Sequence, residues 1–393
     1  MTMRYLTKLQ LQTELDKCLN CKTRPCMHAC PVKCSPQEFI AQARTGDYQG
    51  AIQTINRNNP LGHTCGLICP EHFCIKACLR AKIDNPLNIP LIQATLLKMF
   101  RGSNDSAQHF ETNGKKIAII GAGPAGLAAA WQMLQLGYTI KIFEKTSSVG
   151  GALNLIPPSR LPHAAIDDDW NYIRQMGKAD IVYDCKIDNP LELLKEYSGI
   201  IMAVGEQNVV NLGVKGEEYI TSYVEYLRYP HRFMNKQKVV IVGGGNVAAD
   251  CAVTARNLGA KQVTMLVRRQ INNLRIDKKE LLNLLEKSIN IIPTTRVVEV
   301  IKADDGIELK TCSTYIDEGR CNDIPNSEIS RGKVDLIIKA IGSVAETPLE
   351  HERIIYAGDC KIGGSTVVEA IASGIDSAKL LHSRLIDEEK IIA

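Results

Sequence analysis

No segment of the 393 residues is apolar for long enough to span a bilayer. The longest candidate, Ile117 to Trp131, is short and is interrupted by three glycines and Pro124. A run of like charge is also missing: 47 Lys and Arg against 43 Asp and Glu leave a net +4. That balance suggests neither nucleic acid nor an anionic membrane as a partner. The opening, MTMRYLTKLQLQTELDKC, has no continuous apolar core of the signal-peptide kind. A reducing, cytoplasmic compartment is therefore expected. Low-complexity tracts are absent too. Beyond Cys78 there is no C-x-x-C or C-x4-C pair, because Cys185, Cys251, Cys312, Cys321 and Cys360 stand singly. This removes the redox-active pair that a disulfide reductase needs. Cys251 reads as a small buried hydrophobe on a helix.

What the sequence does have is a block of cysteine. Of its 14 cysteines, nine lie between Cys18 and Cys78. In a long chain without a signal segment, metal binding is a better reading than disulfides. The spacing is Cys18-x2-Cys21-x4-Cys26-x3-Cys30-Pro31, then Cys65-x3-Cys69-Pro70-x3-Cys74-x3-Cys78. Thiolates in such groups suit iron–sulfur clusters, with Cys-Pro endings as in two-cluster motifs. Four-cysteine structural zinc is the alternative, although zinc is redox-silent. His28, His63 and His72 lie in this region and read as polar scaffold.

The length calls for two or three domains. Residues 1–113 carry the cysteine block and show helical patterning in Pro36–Asn58 and Leu91–Phe100. Arg101 to Asn113 reads as a polar linker. From Lys115 the pattern becomes strand, glycine turn, helix, and it occurs twice. An α/β fold with parallel sheets behind an α-helical cap is expected.

In such a turn the first glycine makes the bend and the second lets the backbone approach a pyrophosphate. The third allows close helix–strand packing, and the helix N-terminus favours the anion. Gly121, Gly123 and Gly126 take these places, and Glu144 stands at the end of the next strand, where a carboxylate would bind a ribose hydroxyl. The second turn, Gly243-Gly244-Gly245-Asn246-Val247-Ala248, is followed by a strand ending in Arg268 and Arg269, with Arg275 beyond. Guanidinium groups there would pair with a 2′-phosphate, which favours NADP(H) over NAD(H). A solvated basic turn is the bland alternative. Two dinucleotide sites suggest a flavin and a nicotinamide meeting for hydride transfer.

At CLNCKTRPCMHACP, NNPLGHTCGLICP, PLNIPLIQ, IPPSRLP, GGGNVAAD and YAGDCKIGGSTVVEAI the sequence resembles the glutamate synthase small-subunit family. It is most similar there to bacterial dihydropyrimidine dehydrogenase NAD-binding subunits. The resemblance implies one [4Fe-4S] cluster on Cys18, Cys21, Cys26 and Cys78, and a second on Cys30, Cys69, Cys74 and Gln93. Gln93 is what favours the pyrimidine branch, and Cys34 and Cys65 are left as structural. FAD is implied on Gly121, Gly123, Ala125, Gly126, Glu144, Lys145, Gly151 and Arg160, and again on Gly358, Asp359, Thr366 and Val367. NADP(H) is implied on Gly244, Gly245, Asn246, Arg268, Arg269 and Arg275. A nicotinamide domain at 232–344 is expected inside a flavin domain split between 114–231 and 345–393. One departure is the segment IDKKE, where relatives often carry proline, although Glu280 keeps its place.

The implied activity is hydride transfer from NADPH to FAD, then single electrons through two clusters to a partner. No side-chain acid, base or nucleophile is required, so no catalytic residue is named. The expected partner is an FMN-containing, pyrimidine-reducing subunit, since no such domain precedes Ala393. A glutamate synthase large chain is the alternative partner. Outside enzymes, the alternative is a zinc-stabilised, NADPH-responsive flavoprotein binding module.

Overall fold

The computed structural model describes residues 5–102, 109–206, 208–304 and 306–392. Its contacts define two compact units. Unit 1 comprises Met1–Asn154, Pro158–Gln207 and Ala345–Ala393, and unit 2 comprises Leu155–Pro157 and Asn208–Val344.

Unit 1 begins with six short helices: α1 (Lys8–Asp16), α2 (Pro25–Ala29), α3 (Pro36–Arg44), α4 (Tyr48–Asn56), α5 (Gly62–Ile68) and α6 (Ile89–Phe100). The helical stretch expected over Pro36–Asn58 is two helices. Gly46, at φ +84°, ends the first, and Asp47 starts the second by accepting the Gly50 amide at 2.9 Å. Phe39, Ile40, Ile55, Ile92 and Leu96 form the core of this region. Gly62 and Gly66 let α5 lie close to its neighbours. A Cβ at Gly66 would meet the Ala94 backbone nitrogen at 2.6 Å. Among the described residues no strand precedes Lys116. Of the expected linker, residues 103–108 lie outside the described residues. Arg101 does not behave as linker, because its side chain is nine-tenths buried.

The chain continues in unit 1 through β1 (Lys116–Ile120), α7 (Pro124–Gln135), β2 (Thr139–Phe143), α8 (His163–Arg174), β3 (Ala179–Val182) and β4 (Gly199–Met202). Unit 2 follows with β5 (Asn208–Val209), β6 (Thr221–Ser222), α9 (Tyr223–Arg228), β7 (Lys238–Val242), α10 (Asn246–Asn257), β8 (Gln262–Leu266), α11 (Lys278–Glu286) and β9 (Asn290–Ile292). Its antiparallel part is β10 (Thr295–Ala303), β11 (Gly306–Asp317), β12 (Arg320–Asp323) and β13 (Ile329–Val334). It closes with β14 (Leu336–Lys339) and β15 (Ser343–Val344). Unit 1 resumes as β16 (Ile354–Tyr356), α12 (Asp359–Ile362) and α13 (Val367–Ile392).

Each unit holds one five-stranded parallel sheet, in the orders β16-β4-β1-β2-β3 and β6-β14-β7-β8-β9. The central strands KIAII and KVVIV are buried after their first residue, as strands covered on both faces must be. In both sheets the strand order turns at the central strand, β1 or β7. Open α/β sheets bind ligands at the carboxyl end of such a strand, and each glycine turn stands there.

The expected boundary at 231/232 is corrected by these contacts. Residues 208–231 fall in unit 2, because β6 extends the second sheet by pairing with β14 and Tyr226 of α9 is buried in the core of that unit.

Candidate functional site

All 14 cysteines are free thiols. Cys18, Cys21, Cys26 and Cys78 line a single cavity, together with Leu19 and Arg24. The loops carrying the first thiols are shaped by left-handed residues. Asn20 (φ 50°), Arg24 (φ 45°) and Lys33 (φ 55°) are all non-glycine. Residues held in this region outside glycine cost energy and gather at functional sites.

A second group of thiols lies beside the first. Cys30, Cys65 and Cys74 each act electrostatically on Cys34, while Cys30 and Cys74 also act on Cys69. Cys26 in turn acts on Cys74, which makes the two groups neighbours. Burial pushes the Cys26 thiol up to about 11 and the Cys74 thiol up to about 12. The Cys69 thiol is raised by its hydrogen bond with Cys65 and by burial. Without metal these groups are held as neutral thiols, so loading must release their protons. Burial also raises Cys30, opposed by the amides of Cys34 and Val32, which donate to its sulfur. Gln93 is buried on α6, where its Nε2 donates to the Gly62 carbonyl at 2.6 Å and its Oε1 faces Cys34 Sγ at 3.9 Å. Among the described residues no three His, Cys, Asp or Glu side chains are placed to hold one ion. A cluster gives each thiolate its own iron, so its ligands need not converge on one point. The donor set of thiols around a cavity fits that group.

The first glycine turn fits a dinucleotide in the same way. Gly121 has φ +106°, and a Cβ there would meet the Ala203 carbonyl oxygen at 2.4 Å. At Gly126 a Cβ would meet the Gly121 carbonyl oxygen at 2.0 Å. At Gly123, the N-cap of α7, the nearest atom to an added Cβ is Gly151 Cα at 4.0 Å, so the middle position is open. Glu144 is buried, and its carboxylate accepts the Ala122 amide at 2.9 Å and the Thr146 amide and hydroxyl at 2.8 and 2.7 Å. Those three donors fix the carboxylate and leave acceptor capacity for a further hydroxyl. Ala125 lies inside the turn, against Gly358 and Gly374. Lys145 is exposed past the end of β2, and Arg160 is half-buried ahead of α8.

The C-terminal candidates return to this turn. A Cβ on Gly358 would meet the Ala125 Cβ at 2.6 Å, and one on Gly374 the Ala125 oxygen at 2.2 Å. Asp359 accepts the Ser365 hydroxyl at 2.5 Å, and burial holds its carboxyl above the usual range. Thr366 opens α13, its amide and hydroxyl donating to Glu369 at 2.9 and 2.7 Å, with Val367 the first helical residue.

In unit 2, Gly245 caps α10 and an added Cβ would meet nothing within 4 Å, whereas one on Gly244 would meet Val267 at 2.7 Å. The Arg275 amide donates to the Gly244 carbonyl at 3.1 Å, which ties that arginine to the turn. The backbone at Arg268 and Arg269 is pinned, as its carbonyls accept from Thr314 Oγ1 at 2.8 Å and the Thr294 amide at 3.1 Å. Arg268 and Arg275 are exposed and Arg269 is half-buried. Among the described residues none of the three guanidinium groups is paired with a carboxylate. Asn246 and Asp277 of the departing segment bind each other, at 3.1 and 3.2 Å.

Sequence reasoning missed one site component, a buried polar junction in unit 1. The Asp169 carboxylate on α8 accepts the His63 and Thr64 amides of α5 at 3.2 and 2.8 Å, and Arg101 at 2.9 Å. His63 Nδ1 meets Asp168 at 3.1 Å, and burial lowers its pKa. The reading of His63 as scaffold fits these contacts. The run Asp167-Asp168-Asp169 inside an amphipathic helix was the available signal.

Two family models match. Residues 2–104 fit dihydropyrimidine dehydrogenase domain II, 4Fe-4S cluster, and residues 115–370 fit pyridine nucleotide-disulphide oxidoreductase. The chain belongs to the pyridine nucleotide-disulphide oxidoreductase family. Over nearly its whole length it is similar to the NAD-dependent dihydropyrimidine dehydrogenase subunit PreT. The Escherichia coli K12 PreT is 30% identical over 408 residues, covering 96% of this chain and 95% of that one. The NADPH-Fe(3+) oxidoreductase subunit beta of Geobacter sulfurreducens is 29% identical over 86% of this chain. This chain spans 53% of that longer relative. Among solved structures, Mycobacterium tuberculosis FprA in complex with NADPH shares the fold at a TM-score of 0.63. It has 16% identity and covers 70% of this chain and 85% of its own. The protein is thus an NAD(P)H-dependent flavin and iron–sulfur oxidoreductase subunit, and as a subunit it has a partner. Among the described residues no helix is long and apolar enough to cross a membrane.

Proposed function

We propose that this chain oxidises NADPH at FAD and sends single electrons through two [4Fe-4S] clusters to a pyrimidine-reducing partner subunit in the cytoplasm. The observation that carries the reading is the cavity lined by Cys18, Cys21, Cys26 and Cys78, with Cys30, Cys69 and Cys74 grouped beside it. Ligands 52 residues and more apart in sequence gather there, which an ordinary hydrophobic core would not need.

The bound flavin supplies hydride acceptance and its division into single electrons. The chain's own residues bind and orient. The open Gly123 admits a pyrophosphate to the α7 N-terminus, and Glu144 takes a ribose hydroxyl while Ala122 and Thr146 hold it in place. Gly358 lies against Ala125 of the same turn and Gly151 beside Gly123, and Asp359, Thr366, Val367, Lys145 and Arg160 complete the set proposed to hold the flavin. In unit 2, Gly244, Gly245 and Asn246 form the second turn, and Arg268, Arg269 and Arg275 meet the 2′-phosphate. The PreT relatives are named for NAD and the Geobacter relative for NADPH. Here the three guanidinium groups, none paired with a carboxylate among the described residues, favour the phosphorylated coenzyme.

The test is an anaerobic titration of the purified chain with NADPH, followed by absorbance. Bleaching of a flavin band together with loss of broad cluster absorbance supports the reading. Flavin bleaching with no iron and no sulfide in the protein refutes it.

A further inference from the structure

Strand β8 ends at Leu266, and Val267 beyond it still bonds on both sides. Its amide donates to the Ile292 carbonyl at 3.0 Å and its carbonyl accepts the Thr295 amide at 3.0 Å. Arg268 and Arg269 lie past these bonds, so their carbonyls need partners from elsewhere. The antiparallel strands of unit 2 supply them. The Arg268 carbonyl accepts two side chains, Thr314 Oγ1 at 2.8 Å and Cys321 Sγ at 3.3 Å. The Arg269 carbonyl accepts the Thr294 amide at 3.1 Å, and the Thr294 carbonyl accepts the Thr314 amide at 2.8 Å.

This link is built at some cost. Thr294 has φ 47°, a left-handed backbone that a β-branched residue adopts only when its surroundings hold it there. Its two peptide bonds to Arg269 and Thr314 do the holding. Thr314 is 3% exposed. Thr314 pairs with Asp323 and Ile316 with Cys321, which puts Thr314 and Cys321 on one face of the β11–β12 pair. Arg296 of β10 donates to Asp323 of β12 at 2.8 Å and braces that pair.

We propose that Thr314 and Cys321 are positioning residues for coenzyme choice. By holding the Arg268 carbonyl they fix the peptide that joins Arg268 to Arg269, and so preorganise both guanidinium groups for the 2′-phosphate of NADPH. A long side chain rooted on a fixed peptide has less freedom left to lose when it pairs with a phosphate. NADH has no 2′-phosphate and is indifferent to the device. The inference rests on the reading of these arginines as phosphate-binding and adds two residues that touch no coenzyme.

The test uses the anaerobically purified full chain with its flavin and the variants Thr314→Val, Thr314→Ser, Cys321→Ala and Arg268→Ala. Adenosine 2′,5′-bisphosphate binding is measured by calorimetry, and dye reduction is followed with NADPH and with NADH. Thr314→Val removes the hydroxyl with little change of shape and should weaken the bisphosphate about three- to tenfold, the effect of one neutral hydrogen bond. The KM for NADPH should rise by a similar factor while kcat stays within about twofold, and the NADH constants should hold at parent values. Thr314→Ser keeps the donor and should bind as the parent does. Cys321→Ala should shift NADPH in the same direction by less, because a thiol is a weak donor. If Thr314→Val lowers the thermal midpoint, Cys321→Ala decides by the same contrast between coenzymes. Equal changes for NADPH and NADH would overturn the positioning role, as would a Thr314→Ser no better than Thr314→Val. So would unchanged bisphosphate binding in Thr314→Val and Cys321→Ala while Arg268→Ala weakens it. If Arg268→Ala also leaves that binding unchanged, the phosphate reading of the arginines itself fails, and the inference with it.

Discussion

Arg101 donates to Asp169 at 2.9 Å, and neither side chain is open to water: the arginine is 9% exposed and the aspartate 0%. The pair joins the end of α6 to α8, so it ties the cysteine-bearing helices to the part of unit 1 that carries the first glycine turn. Asp169 also satisfies two amides at the start of α5, the helix from which Cys69 follows. One carboxylate therefore joins the cysteine-bearing helices to α8.

Replacing Asp169 by Asn should leave the Arg101 charge buried without a counterion. Breaking one side of such a pair costs about 3–5 kcal/mol. Cluster absorbance should disappear at a lower urea concentration than in the parent chain, well before unit 2 unfolds. Arg101→Met combined with Asp169→Leu should recover part of the loss, because no unpaired charge remains. An unchanged urea midpoint in Asp169→Asn would show that the junction carries no stability.

Little of this junction was legible beforehand. A carboxylate inside an amphipathic helix looks like a solvated face, and only the tertiary fold shows that Asp169 is covered by the N-terminus of α5. The glycine turns were legible because each place has a local steric reason. The close approaches at Gly121 and Gly126 are the ones a strand–turn–helix requires. The boundary at 208 was harder to see, since β6 is two residues long and owes its place to pairing with β14. The split of Pro36–Asn58 could have been read from Gly46-Asp47, a helix stop followed by a helix cap.

Iron content follows from the thiol groups. Cys26→Ser should remove the ligand set of the first cavity and lower iron from about eight to about four per chain. Burial keeps the Cys26 thiol protonated up to about pH 11 when metal is absent. Reconstitution of the metal-free chain should therefore release protons, measurable in weakly buffered solution. Stoichiometric zinc with no acid-labile sulfide would contradict the assignment.

Coenzyme choice tests the arginines after β8. Losing one charge-assisted phosphate contact costs about 1.5–3 kcal/mol, so Arg268→Ala should raise the KM for NADPH by roughly tenfold or more. The KM for NADH should change little, since that coenzyme offers no 2′-phosphate. The Arg268 carbonyl accepts Thr314 through the backbone, and the substitution leaves that bond intact. Equal changes for both coenzymes would place the phosphate elsewhere.

The division of labour with a partner is the remaining expectation. On the proposed reading the candidate residues all serve carriage of electrons: two dinucleotide turns and two neighbouring groups of thiols. Cys26 acts electrostatically on Cys74, so the two groups are neighbours. The cavity of Cys18, Cys21, Cys26 and Cys78 opens beside Leu19, which is 43% exposed, and Arg24, whose backbone is left-handed. An acceptor docking on this face would sit against an apolar residue rimmed by a cation, as protein interfaces do. The isolated chain should therefore reduce dyes with NADPH yet leave uracil and thymine unchanged. Adding an FMN- and cluster-containing pyrimidine-reducing subunit should restore NADPH-dependent pyrimidine reduction. Leu19→Asp should weaken that coupled rate while dye reduction stays within twofold, because the substitution touches neither glycine turn. Pyrimidine reduction by the isolated chain would remove the need for a partner. Turnover only with glutamine, 2-oxoglutarate and a glutamate synthase large chain would move the protein to a different acceptor.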